Sequence, residues 1–150
     1  VDIFIATPGM SYTMTADVEV QDGANGVIVA QGGRFGGFSF FLSAGKPTFV
    51  YNYLGREKFT VASSQALTPG RHTVVYEFTS DGGLGKGGLG TITIDGTKVG
   101  EGRIGRTQPG IFSVDDLADV GTDDGTPVTD YGPSRKFTGT LNKVTIVTRK

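Results

Sequence analysis

The chain contains no cysteine, which excludes disulfides, thiolate nucleophiles and cysteine-ligated zinc. It has a single histidine, His72, so no histidine pair is available as a metal clip or a catalytic dyad. No window approaches the roughly 20 consecutive apolar residues of a membrane-spanning helix. The opening residues, VDIFIATPGM, lack the basic region of a signal peptide. Neither sign of charge dominates: 14 basic residues face 15 acidic ones, a net charge of −1. With no basic patch, neither nucleic acid nor an anionic membrane is an expected partner. Glutamate is sparse, at Glu19, Glu57, Glu77 and Glu101, and none belongs to an E-x-D-x-x-E cluster of the kind that hydrolyses glycosides on sandwich scaffolds. Ser39, Ser63, Ser64, Ser113 and Ser134 have no G-x-S-x-G context. These absences argue against an enzyme and leave no catalytic residue to name.

What the chain has in excess is glycine, 25 of 150 residues, against a usual level of about 7%. The glycines follow no G-X-Y period and separate short apolar runs, as turn residues do. Between them the side chains alternate. In YTMTADVEV (12–20), Tyr12, Met14, Ala16, Val18 and Val20 point one way and the polar residues the other, the period of a half-buried strand. VIVA (27–30) is apolar on both faces and predicts a central strand covered on both sides. Further strands are predicted at 38–42, 48–53, 57–62, 71–79, 90–94 and 97–104. Turns are placed at Asp22-Gly23, Pro69-Gly70 and Asp95-Gly96, and Lys46-Pro47 breaks the run between 38–42 and 48–53. Leu141 and Val144 lie an odd number apart, so both face inward only across a bulge. Residues 113–136 carry no sustained period and read as a long loop. About ten strands, no helix pattern and regular turn signals predict one all-β domain over 1–150: a two-sheet antiparallel sandwich, with a closed barrel as second choice.

Two motifs invite chemistry and lose it on inspection. GLGKGG (83–88) has the G-x-G-x-x-G spacing of a phosphate-binding loop, which needs a following helix to hold the pyrophosphate. GTITIDG follows instead, a strand and a turn, so the loop reads as a hairpin connection. YGPSR (131–135) echoes C-x-P-S-R, where sulfatases convert cysteine to their aldehyde-hydrate nucleophile; Tyr131 cannot undergo that conversion.

Three groups remain as candidate sites. Arg34 and Phe35 in the GGRFGG loop, with Tyr51, Asn52 and Tyr53, combine rings and planar hydrogen-bonding groups suited to a glycan; the competing reading puts the rings in the core. Asp119, Asp123 and Asp124 offer hard oxygens suited to Ca²⁺, against a solvated loop whose carboxylates cap nearby backbone N–H groups. Arg34, Arg56, Arg103 and Arg106 suit bidentate pairing with sulfate. His72 shares a face with Val74 and Tyr76 and reads as a structural, hydrogen-bonded histidine. Exposed sheet edges are a route to homo-oligomers.

The words GVIVAQGGRFGGFSFFL (26–42), TFVYNYLGREKFTVASS (48–64), GRHTVVYEF (70–78), GTITIDGTKVGEGRIGRTQPGIFS (90–113), DVGTDDGTPV (119–128) and FTGTLNKVTI (137–146) resemble, taken together, the C-terminal accessory domain of bacterial arylsulfatases. The resemblance spans 26–146. It implies a non-catalytic jelly roll of the concanavalin A-like or laminin G-like kind that packs against a sulfatase catalytic domain in cis, and a periplasmic or secreted parent. The alternative is a free-standing lectin-like module for carbohydrate, including sulfated glycans.

Overall fold

Alternation becomes architecture in β1 (Ser11–Val20), where Tyr12, Met14, Ala16, Val18 and Val20 are buried and the residues between them are not. The computed structural model describes residues 11–33, 36–53, 57–81, 86–106, 119–120 and 137–149. The remaining strands are β2 (Gly26–Gly33), β3 (Gly36–Ser43), β4 (Lys46–Tyr53), β5 (Glu57–Ala62), β6 (Gly70–Ser80), β7 (Lys86–Ile94), β8 (Thr97–Arg106), β9 (Asp119–Val120) and β10 (Thr140–Arg149). One sheet has the order β10-β1-β6-β7-β8 and the other β5-β4-β3-β2-β9, with antiparallel neighbours in both. No helix occurs among the described residues.

The core lies between the sheets. The Tyr76 ring on β6 stacks on the Phe49 ring of β4 across the gap, with centroids 3.8 Å apart and planes 8° from parallel. Phe38, Phe40, Met14, Ile92 and Ile104 pack around them, all but inaccessible to water. Burying a side chain of this size stabilises by about 1.5–3 kcal/mol, so this aromatic layer holds the two sheets face to face. The Tyr76 hydroxyl is buried without a hydrogen-bond partner, and burial pushes its phenol pKa well above the ordinary value.

The expected bulge is present. Asp17 pairs with Lys143 and Val18 with Leu141, so the chain steps past Asn142, and both Leu141 and Val144 pack against the core. VIVA is covered on both sides, as its apolar pattern predicts: Val27, Ile28, Val29 and Ala30 are all buried. Ile28 and Val29 join the main core. Val27 and Ala30 form a second cluster with Phe41 and Val50, on the face of this sheet that points away from the first.

Two predicted details are corrected. The β3–β4 connection is Ala44-Gly45 rather than Lys46-Pro47. Ala44 and Gly45 have φ of 49° and 80°, the paired positive values of a type I′ hairpin. Pro47 sits inside β4, opposite Leu42, and its carbonyl accepts from Ser63 N. The segment 113–136 is not wholly loop, since Asp119–Val120 adds a short strand beside β2.

The GLGKGG stretch runs into β7, which starts at Lys86. A Cβ on Gly87 would lie 1.9 Å from the Ile104 carbonyl oxygen, so strand packing accounts for this glycine. Residues 82–85 are outside the described residues. One side of the sandwich closes where β5 meets β8. Gly100 permits this approach, because a Cβ there would sit 2.5 Å from the Ala62 carbonyl oxygen, and Ser64 N donates to the Val99 carbonyl at 2.8 Å.

Candidate functional site

Strand alternation separates residues that look contiguous in sequence. Tyr51 is 5% exposed and belongs to the main core. Asn52, 1% exposed, points the opposite way, because neighbouring strand residues face opposite sides. The structure therefore does not bring Tyr51 and Asn52 to one surface. Arg34, Phe35 and Arg56 lie outside the described residues, as do the side chains of Tyr53 and Arg106. Asp119 pairs with Ala30 through its backbone; its side chain, and Asp123 and Asp124 altogether, lie outside the described residues. Arg103 is engaged in an ion pair with Asp81. Among the described residues no three His, Asp or Glu side chains come together as a metal site.

A constellation that sequence reasoning missed forms at the end of the sandwich where β6 begins. Its residues are Asp17 from β1, Arg71, His72 and Thr73 from β6, and Asp95 from the β7–β8 turn. With Val18 they line a cleft of about 240 Å³. Pairing fixes the geometry. Asp17 lies opposite Thr73, and Val74 opposite Ile94, which carries the next residue, Asp95, beside Thr73. Asp95 and Gly96 have φ of 49° and 85°, a second type I′ turn, and that turn folds the carboxylate back over the strand. Asp95 N donates to the Thr73 carbonyl at 2.8 Å, and Thr73 N donates to Asp95 Oδ1 at 2.8 Å. The Thr73 hydroxyl donates to Asp17 Oδ1 at 3.0 Å.

His72 ties this turn to the loop before β6. Its Nδ1–H donates to Asp95 Oδ2 at 2.6 Å, and its Nε2–H donates to the Thr68 carbonyl at 2.7 Å. A carboxylate and a carbonyl only accept, so both ring nitrogens carry protons when both bonds are made. The hydrogen bond to Asp95 raises the His72 pKa above 6.5 against the opposing effect of burial, and the Thr68 carbonyl adds to the rise. The same bond, helped by Thr73 N, holds the Asp95 carboxyl below its ordinary 3.8. The histidine side chain is 13% exposed and the aspartate 50%, so the pair sits at the rim, partly screened by water.

Capacity for a ligand remains. A carboxylate offers about four lone-pair positions, and among the described residues Asp17 uses one. Arg71 is exposed, and its guanidinium makes no ion pair with a described residue. Two carboxylates, one guanidinium and one imidazolium sum to zero, a balance that suits an uncharged polar ligand better than a free ion. The arrangement holds no nucleophile beside a base: Thr73 points its hydroxyl at Asp17, and His72 spends both nitrogens on structure.

No protein-family model and no curated protein sequence matches the chain. Solved structures do. The CBM40 of the Ruminococcus gnavus IT-sialidase superposes with a TM-score of 0.64 at 11% identity, covering 94% of this chain and 76% of that one. The laminin alpha2 chain, in the LG1-3 region, gives 0.65 at 18% identity, over 97% of this chain and 28% of that one. The heptameric SAP-like pentraxin of Limulus polyphemus gives 0.54 at 10% identity, over 95% and 67%. At these identities the likeness establishes the fold alone: a two-sheet antiparallel jelly-roll β-sandwich.

Proposed function

We propose that the chain is a non-catalytic carbohydrate-binding module. The observation that carries this reading is the fold shared over 94% of its length with the CBM40 of a sialidase, whose name marks it as a carbohydrate-binding module. Two features support it. The described residues assemble no catalytic dyad, and they do assemble a cleft of hydroxyl-accepting and hydroxyl-donating groups. Glycan contacts from Arg34, Phe35 and Tyr53, and a Ca²⁺ held by Asp119, Asp123 and Asp124, belong to the same proposal. The test is retention of the purified chain on immobilised neutral and sulfated polysaccharides, with and without chelator. Retention on at least one polysaccharide is expected. A chain that runs through every matrix unretarded overturns the reading.

The word-by-word resemblance to arylsulfatase C-terminal domains supports a second reading, an accessory domain packed against a catalytic domain. Such packing asks for an apolar docking face. Among the described residues Val147, at 52%, is the single large hydrophobic side chain that is exposed, so the carbohydrate reading ranks first. Sedimentation at several concentrations tests the remaining proposal, self-association through a sheet edge; a mass fixed at one chain removes it.

A further inference from the structure

We infer that the cleft at the start of β6 is a sugar subsite that takes the vicinal hydroxyls of an uncharged hexose, with Asp17 and Arg71 as its contact residues. The inference rests on the carbohydrate reading above and deepens it by naming the site and the ligand class.

Geometry comes first. The cleft is built from three separate stretches of chain, and every polar group bordering it, apart from Arg71, is pinned. Thr73 is held by Asp95 through its N–H and holds Asp17 through its hydroxyl. Asp95 is held by Thr73 and His72 together. Pinned groups lose little rotamer freedom when a ligand arrives, and that cost is a main reason polar contacts yield little affinity. Asp17 therefore presents its free oxygen from a fixed position.

Chemistry comes second. Adjacent sugar hydroxyls form a pair of donors and acceptors about one hydrogen bond apart. A carboxylate receives two hydroxyl protons side by side, and a guanidinium supplies parallel N–H groups to the oxygens of the same pair. Asp17 and Arg71 stand on neighbouring strands, with Arg71 opposite Glu19 and Asp17 opposite Thr73, so they flank one opening from two sides. Residues further round the rim are Glu19 and Lys143, opposite in charge, which keeps the surroundings neutral.

Charge decides between ligand classes. An anion on Arg71 would face the carboxylates of Asp17 and Asp95. A cation on Asp17 would face Arg71 and the His72 imidazolium. An uncharged diol meets neither penalty. Among the described residues no metal cluster borders this cleft, so at this subsite direct side-chain contacts carry the recognition.

The experiment is titration of the ¹⁵N-labelled chain with methyl mannoside, methyl galactoside, methyl glucoside and, as a charged comparator, a methyl glucuronide. Amide and Arg side-chain shifts are followed, and the Asp17→Asn and Arg71→Ala variants run in parallel. Both positions lie on the outer face, and the amide oxygen introduced by Asp17→Asn still accepts from Thr73, so the variants are expected to fold; their melting curves check this. The expected result is saturable movement of the Arg71, Thr73 and Asp95 amides with at least one neutral glycoside, weakened tenfold or more in either variant. Shifts confined to other regions overturn the subsite and leave the carbohydrate reading standing. Response to the glucuronide alone overturns the uncharged-ligand assignment. No response to any glycoside, together with failure to be retained on polysaccharide, overturns both.

Discussion

Two side chains stitch the same end of the sandwich, and they do it by opposite means. Asn25 is a neutral knot. Its Oδ1 accepts from Ala44 N at 2.8 Å, and its Nδ2 donates to the Gly23 carbonyl at 3.0 Å. Its backbone exchanges bonds with Thr138, N to Oγ1 at 2.9 Å and O from N at 2.8 Å. One residue thus joins the β1–β2 turn, the β3–β4 hairpin and the approach to β10. His72 is a charged knot that joins the β5–β6 loop to the β7–β8 turn. Between them, Leu67 is buried and its N–H donates to the Gly45 carbonyl, so the two stitches share a floor. The difference teaches how an end of a glycine-rich sandwich is fixed: the amide makes its bonds at any pH, whereas the imidazole donates to the Asp95 carboxylate and the Thr68 carbonyl together only while it carries two protons.

The largest effect is expected from the neutral knot. Asn25→Ala removes two side-chain bonds and leaves the Ala44 N–H to find water. At about 1 kcal/mol per bond the loss is about 2 kcal/mol, or a melting temperature lower by roughly 4–8 °C for a domain of this length. The loss should be the same at pH 5.5 and pH 8. A pH-dependent loss would mean that Asn25 acts through a titrating neighbour.

His72→Gln should cost less, about 1 kcal/mol, because its partner is half exposed and screened, and the cost should depend on pH. The His72 pKa is raised in the folded chain, so its stabilisation is fully present below the unfolded value near 6.5 and is lost as pH rises through the raised value. The Asp95 pKa is lowered, so its share is present above about 3.8 and fades as pH falls through the lowered value. The pair therefore acts most strongly between those limits. Urea midpoints from pH 5.5 upward read this directly: the gap between wild type and variant should be widest at pH 5.5 and narrow as the pH rises through the raised value. Above the transition, the Thr68 hydroxyl, 3.2 Å from Nε2, can donate to the deprotonated nitrogen, which keeps the loop in place. If the two stitches are independent, the Asn25→Ala, His72→Gln double variant should lose the sum of the two within about 0.5 kcal/mol. A larger departure would show that the shared floor under Leu67 couples them.

The sequence discloses the sheets far better than it discloses these stitches. Alternation at 12–20, the doubly apolar 27–30 and the odd Leu141–Val144 spacing each state a packing requirement locally, and each is met. The Asp95-Gly96 turn is equally local, because a dipeptide that tolerates positive φ names itself. Ala44-Gly45 hides, since alanine carries no turn signal and the proline two residues on draws attention away. The cleft hides for a different reason. Asp17, His72 and Asp95 are far apart in the chain, and only strand order and register bring them together. Tyr51 and Asn52 show the converse: adjacency in sequence puts strand neighbours on opposite faces, one in the main core and one buried on the other side of the sheet. His72 was legible as structural, yet its partners were not.

The two hairpin turns sharpen the comparison at its smallest scale. Both have type I′ geometry and a non-glycine residue at φ 49°, Ala44 in one and Asp95 in the other. Asp95 justifies its place, because its carboxylate bonds Thr73 N and His72 and aspartate tolerates this backbone region better than most residues. Ala44 has no side-chain bond; what holds it there is the Asn25 amide acting on its N–H. Alanine in that conformation stores strain of about 1 kcal/mol. Ala44→Asn, at an exposed position, should release part of it and stabilise by about 0.5 kcal/mol, seen as a slightly higher urea midpoint at unchanged slope. The gain should persist at every pH, as expected of a turn governed by the neutral stitch. Asp95→Asn keeps the turn and removes the charge, so its effect should vanish at high pH along with the His72 clamp. If Ala44→Asn destabilises instead, the turn is governed by the bonds Gly45 makes with Ala24 and Leu67, and the neutral stitch is holding packing rather than backbone.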